Sequence, residues 1–95
     1  MSANWFVYII RSANNTLYTG ITTDIERRLR EHEGLINKGA KYLRGKGPLT
    51  VVWQTTVSNR SEASRMESRI KRLPRHTKQR LVDGHEDVRQ QLGLG

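Results

Sequence analysis

The sequence predicts an α+β fold: a three-stranded, mainly antiparallel sheet flanked by helices, in the order β-β-α-β-α-α. Three observations predict it. Two aromatic and β-branched runs, Trp5 to Ile10 and Thr16 to Thr22, flank the turn cluster Ser12-Ala13-Asn14-Asn15. A third run of strand character, Leu49 to Val57, follows a glycine-rich stretch. After it, Ala63, Met66, Ile70 and Leu73 recur at spacings of 3, 4 and 3, the period of one helix face.

Each element has its own local reason. Residues 5–22 read as a hairpin. Centred on Ala13, it sets Tyr8 directly opposite Tyr18, so that the two rings share one face of the sheet. Thr23-Asp24-Ile25-Glu26 reads as a capping box with Thr23 as the cap, opening a helix that runs to about Glu33 and stops at Gly34. Ile25 and Leu29 form its buried edge, and Arg28 and His32, four apart, share the adjacent edge. Gly34 to Pro48 contains four of the eight glycines and reads as a long loop, a length usually tied to function. In the third strand, Val51 and Trp53 are expected on one face, with Val52 and Gln54 on the other. Asn59-Arg60-Ser61-Glu62 starts the second long helix. Pro74 ends it and opens a third over 74–82, with Leu81 and Val82 buried and Gly84 as its stop. A frayed helical tail is expected over 86–92.

At 95 residues the chain is expected to form one domain, its core spanning about 5–82 and an acidic tail running from 83 to 95. Cysteine is absent, so disulfides and cysteine-based zinc sites are excluded. No apolar run approaches the roughly 20 residues of a membrane span, and Trp5 to Ile10 is too short for a signal peptide. A cytoplasmic protein is expected.

Charge narrows the function. There are 17 Lys and Arg against 9 Asp and Glu, a net charge of +8. Fifteen of those 17 lie between Arg27 and Arg80, and no acidic residue occurs from Gly34 to Ser61. Such a distribution points to a polyanion, most simply nucleic acid. A membrane surface fits less well, because the basic residues are spread over loop and helices rather than gathered on one amphipathic anchor.

Phosphodiester cleavage needs a proton acceptor, stabilised phosphate charge and an aligned or metal-bound leaving oxygen. Without cysteine, the candidates are Tyr, His, Arg, Lys and carboxylates. Glu67 stands among Arg65, Arg69, Lys71 and Arg72. It suits either an ion pair with Lys71 or a hard cation such as Mg²⁺, which is often held by one or two carboxylates plus water and phosphate. Arg28 and His32 suit a phosphate clamp and a proton carrier, or else a solvated basic helix face. Tyr8 and Tyr18 suit sheet packing. They suit acid–base work only where nearby cations or a metal lower the high phenol pKa, a lowering that the basic neighbourhood could supply.

Taken in order, Phe6-Val7-Tyr8, Tyr18-Thr19-Gly20, Arg28, His32 and Glu67 resemble the GIY-YIG nuclease domain. The resemblance spans Trp5 to Val82. It is closest to the small single-domain bacterial members of the UvrC-intron-endonuclease type. Leu17-Tyr18-Thr19-Gly20-Ile21-Thr22, Glu26-Arg27-Arg28, Gly39-Ala40-Lys41 and Leu43-Arg44-Gly45-Lys46-Gly47 are similar to that subgroup's signature. Phe6 and Val7 stand where the first motif has Gly and Ile, and Thr19 replaces the Ile of the second. No asparagine follows Asn59, whereas larger members often carry a late one.

The resemblance implies a metal-dependent DNA endonuclease acting in repair or processing, with Mg²⁺ or Mn²⁺ held by Glu67. It implies that Tyr8, Tyr18, Arg28, His32 and Glu67 are catalytic, with Tyr8 the preferred base, and that Gly20 is structural, placed where backbone must approach closely. Nucleic acid, DNA first and RNA as an alternative, is expected to be held by Arg27, Lys38, Lys41, Arg44, Lys46, Arg69, Lys71 and Lys78. Family enzymes usually carry a separate recognition domain. This chain is therefore expected to be weakly specific, structure-selective or targeted by a protein partner. The competing function is a non-catalytic nucleic-acid-binding module that keeps the fold.

Overall fold

Four consecutive residues, Val7, Tyr8, Ile9 and Ile10, are buried, and the strand order explains why. In the computed structural model, which describes residues 4–32 and 48–94, β1 (Trp5–Arg11) lies between β2 (Leu17–Thr22) and β3 (Thr50–Val57). Both pairings are antiparallel. The central strand has helices or loops over both faces, so both of its alternating side-chain sets are apolar. Val7 and Ile9 join one core cluster, with Ala63, Ile70, Leu81, Val88 and Leu92. Tyr8 and Ile10 join a second, with Leu49 and the partly buried Tyr18, Ile25, Leu29 and Val51. The fold class is the predicted one, in the order β-β-α-β-α-α-α.

The hairpin register differs from the expected one. Tyr8 pairs with Gly20, and Tyr18 pairs with Ile10. The loop is centred on Asn14 rather than Ala13: the Ser12 and Asn15 amides donate to the Thr16 and Ser12 carbonyls, both at 2.9 Å. Asn15 adopts φ +67°, a left-handed conformation that asparagine tolerates. Moving the centre by one residue moves every partner by two, so Tyr8 and Tyr18 keep a common face but sit diagonally.

The third strand also departs from simple alternation. Ile9 pairs with Trp53, but Ile10 pairs with Val51, which leaves Val52 as the extra residue of a β-bulge. Val52 and Trp53 therefore both pack on the first cluster, whereas Val51 packs on the second. On β2, Thr19 is buried with its hydroxyl lacking a hydrogen-bond partner among the described residues.

Helix α1 (Ile25–His32) is capped by Asp24, not Thr23. The Asp24 carboxylate accepts from the Arg27 amide at 3.1 Å, while Thr22 Oγ1 accepts from the Asp24 amide at 3.1 Å. The expected end of this helix near Glu33 and the loop from Gly34 to Gly47 lie outside the described residues.

Helix α2 (Arg60–Lys71) starts where predicted. The Asn59 side chain accepts from the Glu62 amide at 2.9 Å, and Glu62 reaches back to the Ser58 amide at 3.1 Å. Its stripe buries Ala63 and Ile70 fully and Met66 and Leu73 in part. Helix α3 (Arg75–Val82) follows Pro74, and Gly84 ends it at φ +84°. There the His85 amide donates to the Arg80 carbonyl and the Gly84 amide to Leu81, both at 3.0 Å, the Schellman pattern that needs a left-handed residue. Helix α4 (Glu86–Gln91) carries Val88 into the core, and Leu92 just after it is buried in the same cluster.

Candidate active site

The Tyr8 face of the sheet gathers most of the polar residues singled out in the sequence. Tyr8 extends from the central strand over its cross-strand partner Gly20. A β-carbon built on Gly20 would stand 2.6 Å from Cζ of Tyr8 and closer still to its hydroxyl. Only glycine leaves room for the ring there. The Tyr8 hydroxyl lies 2.9 Å from Nε2 of His32, at the end of α1. Tyr18 meets the same imidazole edge-on, with ring centroids 5.3 Å apart. His32 is thus enclosed by two tyrosines from adjacent strands, and it is fully buried.

Arg28 lies one helical turn before His32, and its guanidinium acts on the Tyr8 phenol, favouring loss of its proton. Arg28 also pairs with Glu31, Nη1 to Oε1 at 3.3 Å. Glu31 is buried, and the sequence reading did not single it out. The available signal was its spacing: three residues after Arg28, it shares that residue's edge of the helix.

Burial sets the proton affinities. It pushes the Tyr8 phenol up to about 12, outweighing the downward pull of Arg28. The lowering that the basic neighbourhood could supply is present in Arg28 but outweighed. Tyr8 is 2% exposed, and the cost of a buried phenolate exceeds what one guanidinium returns. The His32 imidazole is pushed down to about 4, by burial first and then by Arg28, with Glu31 pulling the other way. Both groups are neutral at pH 7. Burial also works against the charge on Arg28, but its interactions with Tyr8 and Glu31 hold it above its usual value.

Glu67 approaches from α2. It acts electrostatically on Tyr8, and its Oε2 lies 3.4 Å from Nζ of Lys71, the ion pair that the i,i+4 spacing suggests. The pair is exposed on the Lys71 side, a setting in which ion pairs contribute little. Among the described residues no three His, Cys, Asp or Glu side chains cluster as metal ligands. One reachable carboxylate suits a hard cation whose remaining shell comes from water and phosphate, and it does not suit zinc.

The predicted nucleic-acid contacts separate. Arg27 lines a groove with Arg28, Glu31, Thr22 and Thr23, beside the tyrosine cluster. Lys71 stays with Glu67. Arg69 lies elsewhere, in grooves with Leu92. Lys78 is half-buried on α3, which packs against α4 and β3. Lys38, Lys41, Arg44 and Lys46 lie outside the described residues.

A family model described as the GIY-YIG catalytic domain matches residues 4–80. This chain belongs to the GIY-YIG family. Among its GIY-YIG relatives is the UPF0213 protein YhbQ of Escherichia coli (strain K12). It is 56% identical over 78 residues, which cover 82% of this chain and 76% of that protein. A UPF0213 protein of Citrobacter koseri matches with the same identity and coverage. The GIY-YIG fold here is similar to the solution NMR structure of the UPF0213 protein BH0048 from Bacillus halodurans. The TM-score is 0.55 and the identity 37%, covering 97% of this chain and 99% of that one. No helix among the described residues of this GIY-YIG protein is long and apolar enough to cross a membrane.

Proposed function

We propose that this protein is a metal-dependent endonuclease that hydrolyses DNA phosphodiester bonds in repair or processing in the cytoplasm. Tyr8, Tyr18, Arg28, His32 and Glu67 form its catalytic set. The observation that carries this reading is the 2.9 Å contact between Tyr8 and a neutral, buried His32, with Arg28 on the same phenol.

With its own proton on Nδ1, His32 accepts at Nε2 from the Tyr8 hydroxyl. A phenol near 12 is a weak base unless its proton has somewhere to go. His32 supplies that place: water gives a proton to Tyr8 as Tyr8 passes its own to His32, and the resulting hydroxide attacks phosphorus. The imidazolium so formed lies near the negative charge of Glu31. Arg28 neutralises charge developing on the phosphoryl oxygens. Tyr18 fixes the imidazole plane through its edge contact. Glu67 would hold Mg²⁺ or Mn²⁺, which when bound supplies positive charge at the phosphate and leaving oxygen. Arg27 and Lys71 flank this centre and hold the nucleic acid, with Lys38, Lys41, Arg44, Lys46 and Lys78 as further contacts; Arg69, in grooves with Leu92, is not among them.

A supercoiled-plasmid assay tests this reading, with Mg²⁺ or Mn²⁺ against EDTA, for wild type, Tyr8→Phe and Glu67→Ala. Cleavage is expected only from wild type with metal, and equal cleavage by all three places the chemistry elsewhere. The upward-shifted phenol favours the second reading, a nucleic-acid-binding module without turnover. That module would bind DNA in a salt-sensitive way and cut it under no divalent metal.

A further inference from the structure

Helix α2 has two exposed flanks on either side of its buried stripe. Glu67 and Lys71 lie on one. Arg65, Arg69 and Arg72, four and three residues apart, lie on the other, and all three are exposed. Helix α2 therefore turns Arg65, Arg69 and Arg72, though not Arg60, away from the flank that carries Glu67.

Two adjoining grooves run along the arginine flank. The first, about 360 Å³, sets Arg65 and Arg69 beside Val57, Met66, Leu92 and Leu94. The second, about 330 Å³, shares Arg69 and Leu92 with it and adds Arg72, Leu73 and Pro74. Among the described residues, the one carboxylate in the two linings belongs to Glu62, which is engaged in accepting from the Ser58 amide at 3.1 Å.

We propose that this surface docks an acidic segment of a partner protein that carries apolar anchor side chains. Charge complementarity selects an acidic occupant, because three guanidinium groups on one helix edge match carboxylates in bidentate geometry. The apolar part of the lining selects a protein. A phosphate backbone needs cations but has no use for Val57, Leu92, Leu94 and Leu73. Among the described residues no aromatic ring lines either groove on which a base could stack. Leucine anchors set in pockets and rimmed by arginine match the anatomy of protein interfaces. Because the surface lies on the flank of α2 away from Glu67, the partner and a nucleic acid are held at the same time.

Fluorescence anisotropy tests this with a labelled amphipathic peptide bearing glutamates and leucines at helical spacing. The controls are the same peptide with serine for leucine, a DNA duplex, and anionic phospholipid vesicles. Wild type is expected to bind the Glu/Leu peptide saturably. The triple variant Arg65→Ala, Arg69→Ala, Arg72→Ala is expected to weaken that binding roughly tenfold or more. Leu94→Ser is expected to weaken it as well. Four outcomes overturn the proposal: no saturable binding, equal binding of the serine peptide, loss of duplex affinity in the triple variant as steep as the loss of peptide affinity, or vesicle binding that depends on the same three arginines.

Discussion

The hydroxyl of Tyr8 and Nε2 of His32 stand 2.9 Å apart, and both residues are buried. Tyr8→Phe removes this hydroxyl and little else. Cleavage is expected to fall by roughly 10²–10⁴-fold, the range for loss of a positioned acid–base group. Folding stability is expected to fall by about 1–3 kcal/mol, because a buried imidazole loses a partner. Urea denaturation beside the cleavage assay separates the two effects. Undiminished cleavage by a folded Tyr8→Phe protein would remove Tyr8 from the reaction.

Acid is expected to destabilise the fold through His32. Its folded pKa of about 4 lies below the ordinary imidazole value of about 6.5. Between those values the unfolded chain binds a proton that the folded chain refuses. The contribution is therefore fully present above about pH 6.5 and is lost as pH falls toward 4. Its ceiling is about 3 kcal/mol. Thermal melts at pH 7 and pH 4.5 check this, with His32→Gln expected to show a shallower decline. Parallel declines in the two proteins would assign the acid sensitivity to other groups.

Glu31 holds Arg28 at 3.3 Å and raises the proton affinity of His32. Glu31→Gln is expected to move the His32 midpoint lower still, as read from its ring protons by NMR. Cleavage is expected to slow about tenfold, equivalent to ~1.4 kcal/mol in the barrier. An unmoved His32 midpoint would mean that the carboxylate serves the helix alone.

Gly20→Ala places a methyl group about where the Tyr8 ring now lies. A stability loss of about 1–3 kcal/mol is expected, the range for overpacking a tight site. Cleavage is expected to fall with it as the hydroxyl moves off His32. A variant that melts like wild type and cuts as well would show that the ring does not depend on Gly20.

Much of the fold was legible because it depends on local pattern. The helical stripe from Ala63 to Leu73, the Asn59 cap and the Gly84 stop each follow from a few adjacent residues. The hairpin register was not, because it turns on which residue centres a five-residue loop, and Asn14 and Ala13 are equal candidates on composition. The bulge at Val52 was hidden for a similar reason: an extra residue in one strand shows only against its partner. At the site, family spacing named Tyr8, Tyr18, Arg28 and His32, and Gly20 proved to lie under Tyr8. Glu31 escaped because a carboxylate beside arginines on a helix reads as an exposed ion pair, and its burial is a tertiary fact. The direction of the Tyr8 shift escaped too, since nearby positive charge is visible in sequence and desolvation is not.

The most direct test of the account is single-turnover cleavage of an end-labelled DNA duplex in Mg²⁺ by wild type and Glu67→Gln, with duplex affinity measured on the same samples. Glu67→Gln keeps the side chain's size and removes the charge that would hold the ion. A loss of roughly 10²-fold or more in the cleavage rate is expected, with duplex affinity little changed. Cleavage by Glu67→Gln at the wild-type rate, or no metal-dependent cleavage by the wild type, would contradict it.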